Sequence, residues 1–292
     1  MRLPGPFEIT RVVDLFHPFR EPSFLFPDAT PEAFAATRTS KDARFVNIAD
    51  CKLIMSFHSL IVRTPRNIIL VDTCVGNHKD RPALPEWHQR TDGDYLRNLA
   101  AVGLAPEHIT HVLCTHLHAD HVGWNTKLIN GRWVPTFANA KYVMHAKEVE
   151  HADHAQCTAD ANARHRFWDD SVQPILDAKQ ALIVADDYEI EPGVHLMPAP
   201  GHTPGNIVLV LDDGKERAYL VGDTIHHPVQ IERPEWSSRF CWDAEMSRQT
   251  RTKFISDVAE TGAWVIPAHF APPCAVQIVA APGGFWFKTS AS

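Results

Sequence analysis

Three imidazoles and one carboxylate crowd into six positions at His116, His118, Asp120 and His121, just past the apolar run at 109–114. Imidazole is the commonest metal ligand, and carboxylate suits the same borderline divalent ions. In an extended segment, residues two apart share a face. His116 and His118 can therefore reach one ion together. Asp120 and His121 are neighbours and should diverge, so a second ion beside the first serves them better. The spacing predicts half of a two-metal site, with the remaining ligands supplied from further along. The plain alternative is a surface turn rich in histidine.

Four further positions share that local context, a loop just past an apolar strand. Asp72 follows Ile68-Ile69-Leu70-Val71, His202 sits in Pro-Gly-His-Thr-Pro-Gly, Asp223 follows Tyr219-Leu220-Val221-Gly222, and His269 follows Val265-Ile266-Pro267-Ala268. Strand ends open onto clefts in α/β folds. Proline and glycine flanking His202 build a fixed turn, a sound way to hold a ligand. Five such placements in one chain predict strand ends converging on one site.

The elements that must position these residues follow from periodicity and punctuation. Strands are expected near 7–15, 52–64, 68–71, 109–114, 141–144, 181–184, 188–190, 194–197, 207–211, 217–221 and 264–266. Asp212-Asp213-Gly214 marks a hairpin, and a second is expected around Pro282-Gly283-Gly284. A helix is predicted after Thr91-Asp-Gly-Asp94, which resembles a capping box and is stopped by Gly103. Others are expected from Ala146, over 160–179, and from Asp243 to Glu260. His145, His151, His154 and His165 form no partner pattern and read as surface or helix-face residues. Residues 16–45 stand apart: Pro18, Pro22, Pro27 and Pro31 alternate with Phe16, Phe19, Phe24, Phe26 and Phe34. Proline this dense predicts irregular backbone, while the phenylalanines demand packing. An arm or lid against the site mouth or a second subunit, and hence a homodimer, is one expectation; an ordinary loop over the core is the other.

Composition bounds the remainder. The chain has 292 residues, 45% hydrophobic and 22% charged, enough for a sizeable core. No composition break interrupts it, so one domain over 1–292 is expected. The formal net charge of -7 and the absence of a basic run argue against nucleic acid. The cysteines at 51, 74, 114, 157, 241 and 274 include no Cys-x-x-Cys pair, so reduced thiols are expected rather than a structural zinc knuckle. No secretory apolar core and no run of about 18 apolar residues occurs, which points to a cytoplasmic protein without a membrane partner.

Val-Asp72-Thr, His116-x-His118-x-Asp120-His121, Gly-His202-Thr-Pro-Gly, Gly-Asp223-Thr and Pro-Ala-His269 together resemble the five ordered motifs of the metallo-β-lactamase superfamily, over roughly residues 50–270. The resemblance implies an α/β fold, a four-layer αβ/βα sandwich of two mixed sheets with helices outside. It implies that His116, His118 and His202 hold one metal, that Asp120, His121 and His269 hold another, and that Asp223 bridges both. Asp72 would orient a ligand rather than bind metal. Zinc is the ion expected, with manganese, iron or cobalt as alternatives. Two ions about 3.5–4 Å apart can share a hydroxide and polarise the bond it attacks, and Asp120 would carry a proton to the leaving group.

Within the superfamily, His118 argues against an oxygen-reducing di-iron site and Asp223 against the β-lactamases that carry cysteine there. His-Leu-His-Ala-Asp-His-Val-Gly and Gly-Asp-Thr-Ile-His-His-Pro-Val-Gln most resemble the N-acyl homoserine lactonase and methyl parathion hydrolase branch. The lactonases of that branch carry tyrosine three residues after the bridging aspartate, where it contacts the substrate carbonyl; here that position is His226, a candidate catalytic residue that could donate a similar hydrogen bond. The expected activity is hydrolysis of a small-molecule lactone or other carboxylic ester, with phosphotriester hydrolysis as the alternative and non-catalytic metal binding as the remote one.

Overall fold

The apolar strands read from the sequence assemble into two mixed sheets in a computed structural model, which describes residues 7–157 and 167–289. The chain divides into two compact units, one of Met1–Leu15 and Phe57–Ala185 and the other of Phe16–Ser56 and Asp186–Ser292. The first sheet runs in the order Glu8–Pro18, Lys52–Arg63, Ile68–Val71, His111–Leu113, Lys141–His145 and Ala181–Val184. Its last four strands are mutually parallel, with Val71 opposite Leu113 and Leu113 opposite Val143. A parallel sheet is covered on both faces, so its strands need continuous apolar runs. Ile69, Leu70, Val71, Val112, Leu113, Tyr142, Val143 and Met144 are accordingly all buried. Parallel register also brings carboxyl ends level, which places the Asp72 and His116 loops side by side.

Helices Asp94–Ala101 and Ala146–Cys157 belong to this unit. The capping box expected at Thr91 does not form. The helix begins one residue past Gly93, whose left-handed φ of 67° turns the chain, and the amide of Asp94 donates instead to the Asp92 side chain at 3.2 Å. Within the stretch expected to be helical at 160–179, residues 160–166 lie outside the described residues. The rest is a π-helical turn, Trp168–Val172, followed by helix Gln173–Asp177. Pro174 falls in the first turn of that helix, where its missing N–H costs nothing. Phe167, Trp168, Val172 and Ile175 enter the core, as their spacing requires.

The second sheet runs Glu189–Glu191, Val194–Pro198, Ile207–Asp212, Arg217–Gly222, Trp264–Pro267, Val276–Ala281, Gly284–Thr289. It is antiparallel except where Arg217–Gly222 lies parallel to Trp264–Pro267, with Gly222 opposite Pro267. That one parallel pair brings the chain immediately before Asp223 beside the chain immediately before His269. Helix Ala244–Val258 is capped by Asp243, which accepts the amide of Met246 at 2.9 Å. Both hairpins form at the expected turns.

Residues 16–45 are more regular than their prolines suggest. Pro22 and Pro31 stand in the first turns of helices Pro22–Leu25 and Pro31–Ala35, and Phe19, Phe26, Phe34 and Phe45 are buried. The amides of Arg38 and Thr39 converge on the Glu232 carboxylate at 2.7–3.2 Å, fastening this segment within its own unit. Among the described residues, no helix is long and apolar enough to cross a membrane.

Candidate metal centre

In the first unit, the histidine loop is held by buried acids. Asp72, at a φ of 57°, accepts the amide of Thr115 at 2.8 Å and its hydroxyl at 2.8 Å. The Oδ2 that accepts the Thr115 hydroxyl also meets His121 Nδ1 at 2.9 Å. A carboxylate oriented this way only accepts, so Nδ1 of His121 carries the proton and Nε2 presents its lone pair. The Thr115 hydroxyl, having donated to Asp72, can accept from His116 Nδ1 at 3.2 Å, which exposes the Nε2 of that ring in the same sense. Glu148, buried on helix Ala146–Cys157, accepts the amide of Leu117 at 2.8 Å.

Backbone packing completes the support. The amide of Thr73 donates to the His121 carbonyl at 2.7 Å and that of Gly123 to the Cys74 carbonyl at 2.7 Å. A Cβ on Gly123 would stand 1.9 Å from the Val75 carbonyl oxygen, so only glycine allows the two loops to approach this closely. His116 Nε2 and His118 Nδ1 lie 3.0 Å apart. Asp120 and His121 diverge less than neighbouring residues on an extended chain would. The chain turns into helix Ala119–Val122, and an Asp120 oxygen lies 3.7 Å from His121 Nε2, while the rings of His116 and His121 are 4.0 Å apart.

In the second unit, Asp223 is ringed by imidazoles. One of its oxygens lies 3.3 Å from His202 Nε2 and 3.2 Å from His226 Nε2; the other lies 3.1 Å from His269 Nε2. His269 turns its Nδ1 to the Ser56 carbonyl at 3.1 Å, which again assigns the proton to Nδ1. The turn bearing His202 is tied to the strand end bearing Asp223 by Asn206, whose Nδ2 donates to the Ala199 carbonyl and the Thr224 hydroxyl at 3.0 and 3.1 Å. His226 is buried, and its amide donates to Gln230 Oε1 at 2.7 Å. Its neighbour His227 points away to the Phe45 carbonyl at 3.0 Å, and burial holds that ring down to a pKa of about 4.

These donors fit divalent metal. Within the second unit alone, ligand atoms of His202, Asp223 and His226 lie within 4.8 Å of one another, all buried. Nε2 atoms packed around a carboxylate, with the Nδ1 sides of His202 and His269 occupied, are the arrangement that metal-binding histidines require. The structure thus gathers Asp72, His116, His118, Asp120 and His121 in one unit and His202, Asp223, His226 and His269 in the other.

Of the histidines set aside as surface residues, His145 is instead buried at a strand end and receives the amide of Lys147 at 3.2 Å. The side chain of His154 and all of His165 lie outside the described residues. Glu148 escaped sequence reading because nothing marks a glutamate on a mostly polar helix as buried. Cys241, whose Sγ lies 3.6 Å from His202 Nδ1, escaped because it is far from every motif.

Residues 58–269 match the metallo-beta-lactamase superfamily, and the chain belongs to it. It is 29% identical over 174 residues to an N-acyl homoserine lactonase from a Bacillus species, covering 55% of this chain and 60% of that relative. A probable metallo-hydrolase of Mycobacterium bovis is 24% identical over 189 residues, covering 58% and 57%. The chain thus spans less than two thirds of these relatives. Two solved structures share the fold at a TM-score of 0.80: the hydrolase AbOPH in the beta lactamase superfamily, at 21% identity covering 100% of this chain and 97% of that one, and AidC, a dizinc quorum-quenching lactonase, at 22% identity covering 99% and 96%. The expected α/β class with two mixed sheets stands.

Proposed function

We propose that the protein is a metal-dependent hydrolase that opens a lactone or another carboxylic ester. The observation that carries this reading is the Asp223 carboxylate, approached by three imidazole Nε2 atoms at 3.1–3.3 Å. In this reading the ligand set is dinuclear. His116, His118 and His202 would hold one ion and Asp120, His121 and His269 the other, with Asp223 a ligand available to both. Two divalent ions held so would supply Lewis acidity and a water of lowered pKa at neutral pH. Asp72 keeps His121 in one tautomer and orientation. Asp120, the most exposed of the acids named, takes the proton to the leaving oxygen. His226, with Nε2 beside Asp223, donates a hydrogen bond to the substrate oxygen that gains charge. Membership of the superfamily and the lactonase names of two relatives support the ester or lactone class.

The test is a parallel panel of lactones and chromogenic phosphotriesters on zinc-loaded protein, with metal content measured per chain. Lactone opening is the expected result. Phosphotriester turnover without lactone opening would replace the substrate assignment, which the histidine at position 226 makes worth testing. Less than one ion per chain, with no hydrolysis after reconstitution by zinc, manganese, iron or cobalt, would leave a non-catalytic metal-binding protein.

A further inference from the structure

The ring of His202 has its Nδ1 side occupied by a thiol. Cys241 Sγ lies 3.6 Å from His202 Nδ1 and 3.3 Å from Ser247 Oγ, to which it donates. Arg251, one turn further along the same helix, donates from Nη1 to that Ser247 oxygen at 3.1 Å. The Arg251 guanidinium is fully buried, and its other hydrogen bonds reach only neutral oxygens, the Pro234 carbonyl at 2.8 Å and the Ser237 hydroxyl at 3.2 Å. Ser247 thus receives from both sides. With its S–H donated to Ser247, the sulfur can accept from His202, and each bond in such a chain polarises the next.

The backbone around this contact is equally close. The amide of Trp242 donates to the His202 carbonyl at 2.8 Å, and that of Asp243 to the Gly201 carbonyl at 3.0 Å. A Cβ on Gly201 would stand 2.2 Å from the Ser247 amide nitrogen, so the histidine turn seats directly on the first turn of helix Ala244–Val258. Thr250 closes the seat by donating to the Pro200 carbonyl at 2.7 Å. The turn, the thiol and the helix form one interlocked element.

We infer that Cys241, braced by Ser247 and Arg251, is the positioning residue for His202: it accepts the Nδ1 proton and so presents the Nε2 lone pair toward Asp223. The inference rests on the metal-centre reading and deepens it. A metal-binding imidazole needs an acceptor on its far nitrogen, and removing such a partner costs on the order of 10–100-fold in metal affinity. A thiol is the weakest acceptor among those serving this chain's histidines, so the low end of that range applies.

The experiment is zinc titration against a competing chelator, resolving the two stepwise affinities, on wild type, Cys241→Ala and Cys241→Ser, with thermal unfolding of the metal-free proteins measured alongside. Cys241→Ala is expected to weaken one zinc step by about tenfold, leave the other within about twofold, and leave metal-free unfolding unchanged. Cys241→Ser, whose hydroxyl also accepts and donates, is expected to restore binding to within about threefold of wild type. Should the alanine variant fail to fold, Cys241→Val, close to cysteine in volume but without an acceptor, carries the same test. Unchanged zinc binding in the alanine or valine variant overturns the inference, as does equal weakening in the serine variant. Wild type that binds no zinc overturns the metal-centre reading itself, so the two failures are distinguishable.

Discussion

The two units support their histidines by different chemistry. In the first, ionisable carboxylates anchor the supports: Asp72 stands behind His121 directly and behind His116 through the Thr115 hydroxyl, and Glu148 holds the Leu117 amide. In the second, they are neutral: the Ser56 carbonyl behind His269, the Cys241 thiol behind His202, and the Gln230 amide oxygen against the His226 backbone. Charge-assisted hydrogen bonds are shorter and roughly twice as strong as neutral ones. The 2.9 Å contact at His121 against 3.1 Å at His269 follows that order. The difference tracks what each loop must oppose. Four functional side chains within six residues of the first unit crowd like donors together and need strong fixation. In the second unit, Asp223 itself supplies the negative charge among the imidazoles, and neutral acceptors suffice to aim them.

That contrast can be broken most severely at Asp223. Asp223→Ala is expected to lower kcat/KM on the ester or lactone identified by the panel by about a thousandfold or more, the scale on which a preorganised charge acts; turnover near wild type would reject the bridging role. The next effect concerns acid. His227 is buried as a neutral ring, with a pKa of about 4 against an ordinary 6.5. The unfolded chain therefore binds the additional proton first, and stability conferred at neutral pH is lost as pH falls from about 6.5 toward 4. The loss approaches about 3 kcal/mol. Urea unfolding of wild type and His227→Gln across that window checks it, the variant being the flatter of the two; parallel curves would refute the assignment.

Smaller effects sharpen the comparison. Asp72→Asn keeps the shape but removes the charge behind His121, and should weaken zinc binding by about 100-fold, the upper end for such partners. A loss no greater than that of Cys241→Ala would erase the distinction between charged and neutral support. Glu148→Gln turns a charged acceptor for Leu117 into a neutral one. It should cost about 1.5 kcal/mol of stability, read by thermal unfolding; no change would mean that Glu148 contributes packing alone.

Much of the scaffold was legible before any coordinates. Ile68–Val71 and Arg217–Gly222 are apolar runs closed by an aspartate, and their strand character follows from composition alone. The Pro-Gly-His-Thr-Pro-Gly turn announced its own rigidity. Proline density in residues 16–45 predicts irregular backbone, whereas Pro22 and Pro31 sit in first turns of helices, where no N–H is needed. The failed capping box at Thr91 shows the same limit: two starts were locally acceptable, and Asp92 settled the competition by accepting the Asp94 amide.

What the amino-acid sequence determined by itself is the chemistry available: which side chains can bind metal, in what order they occur, and that each follows a buried strand. Residue type and periodicity are local properties, and they survive without a fold. Tertiary structure decided which nitrogen of His121, His202 and His269 is presented. Asp72, Ser56 and Cys241 are distant in sequence from the histidines they face, by 49, 213 and 39 residues respectively. No spacing rule connects them. A tautomer is set by the acceptor that packing delivers to the far side of the ring, and that acceptor arrives only when the chain has closed around it.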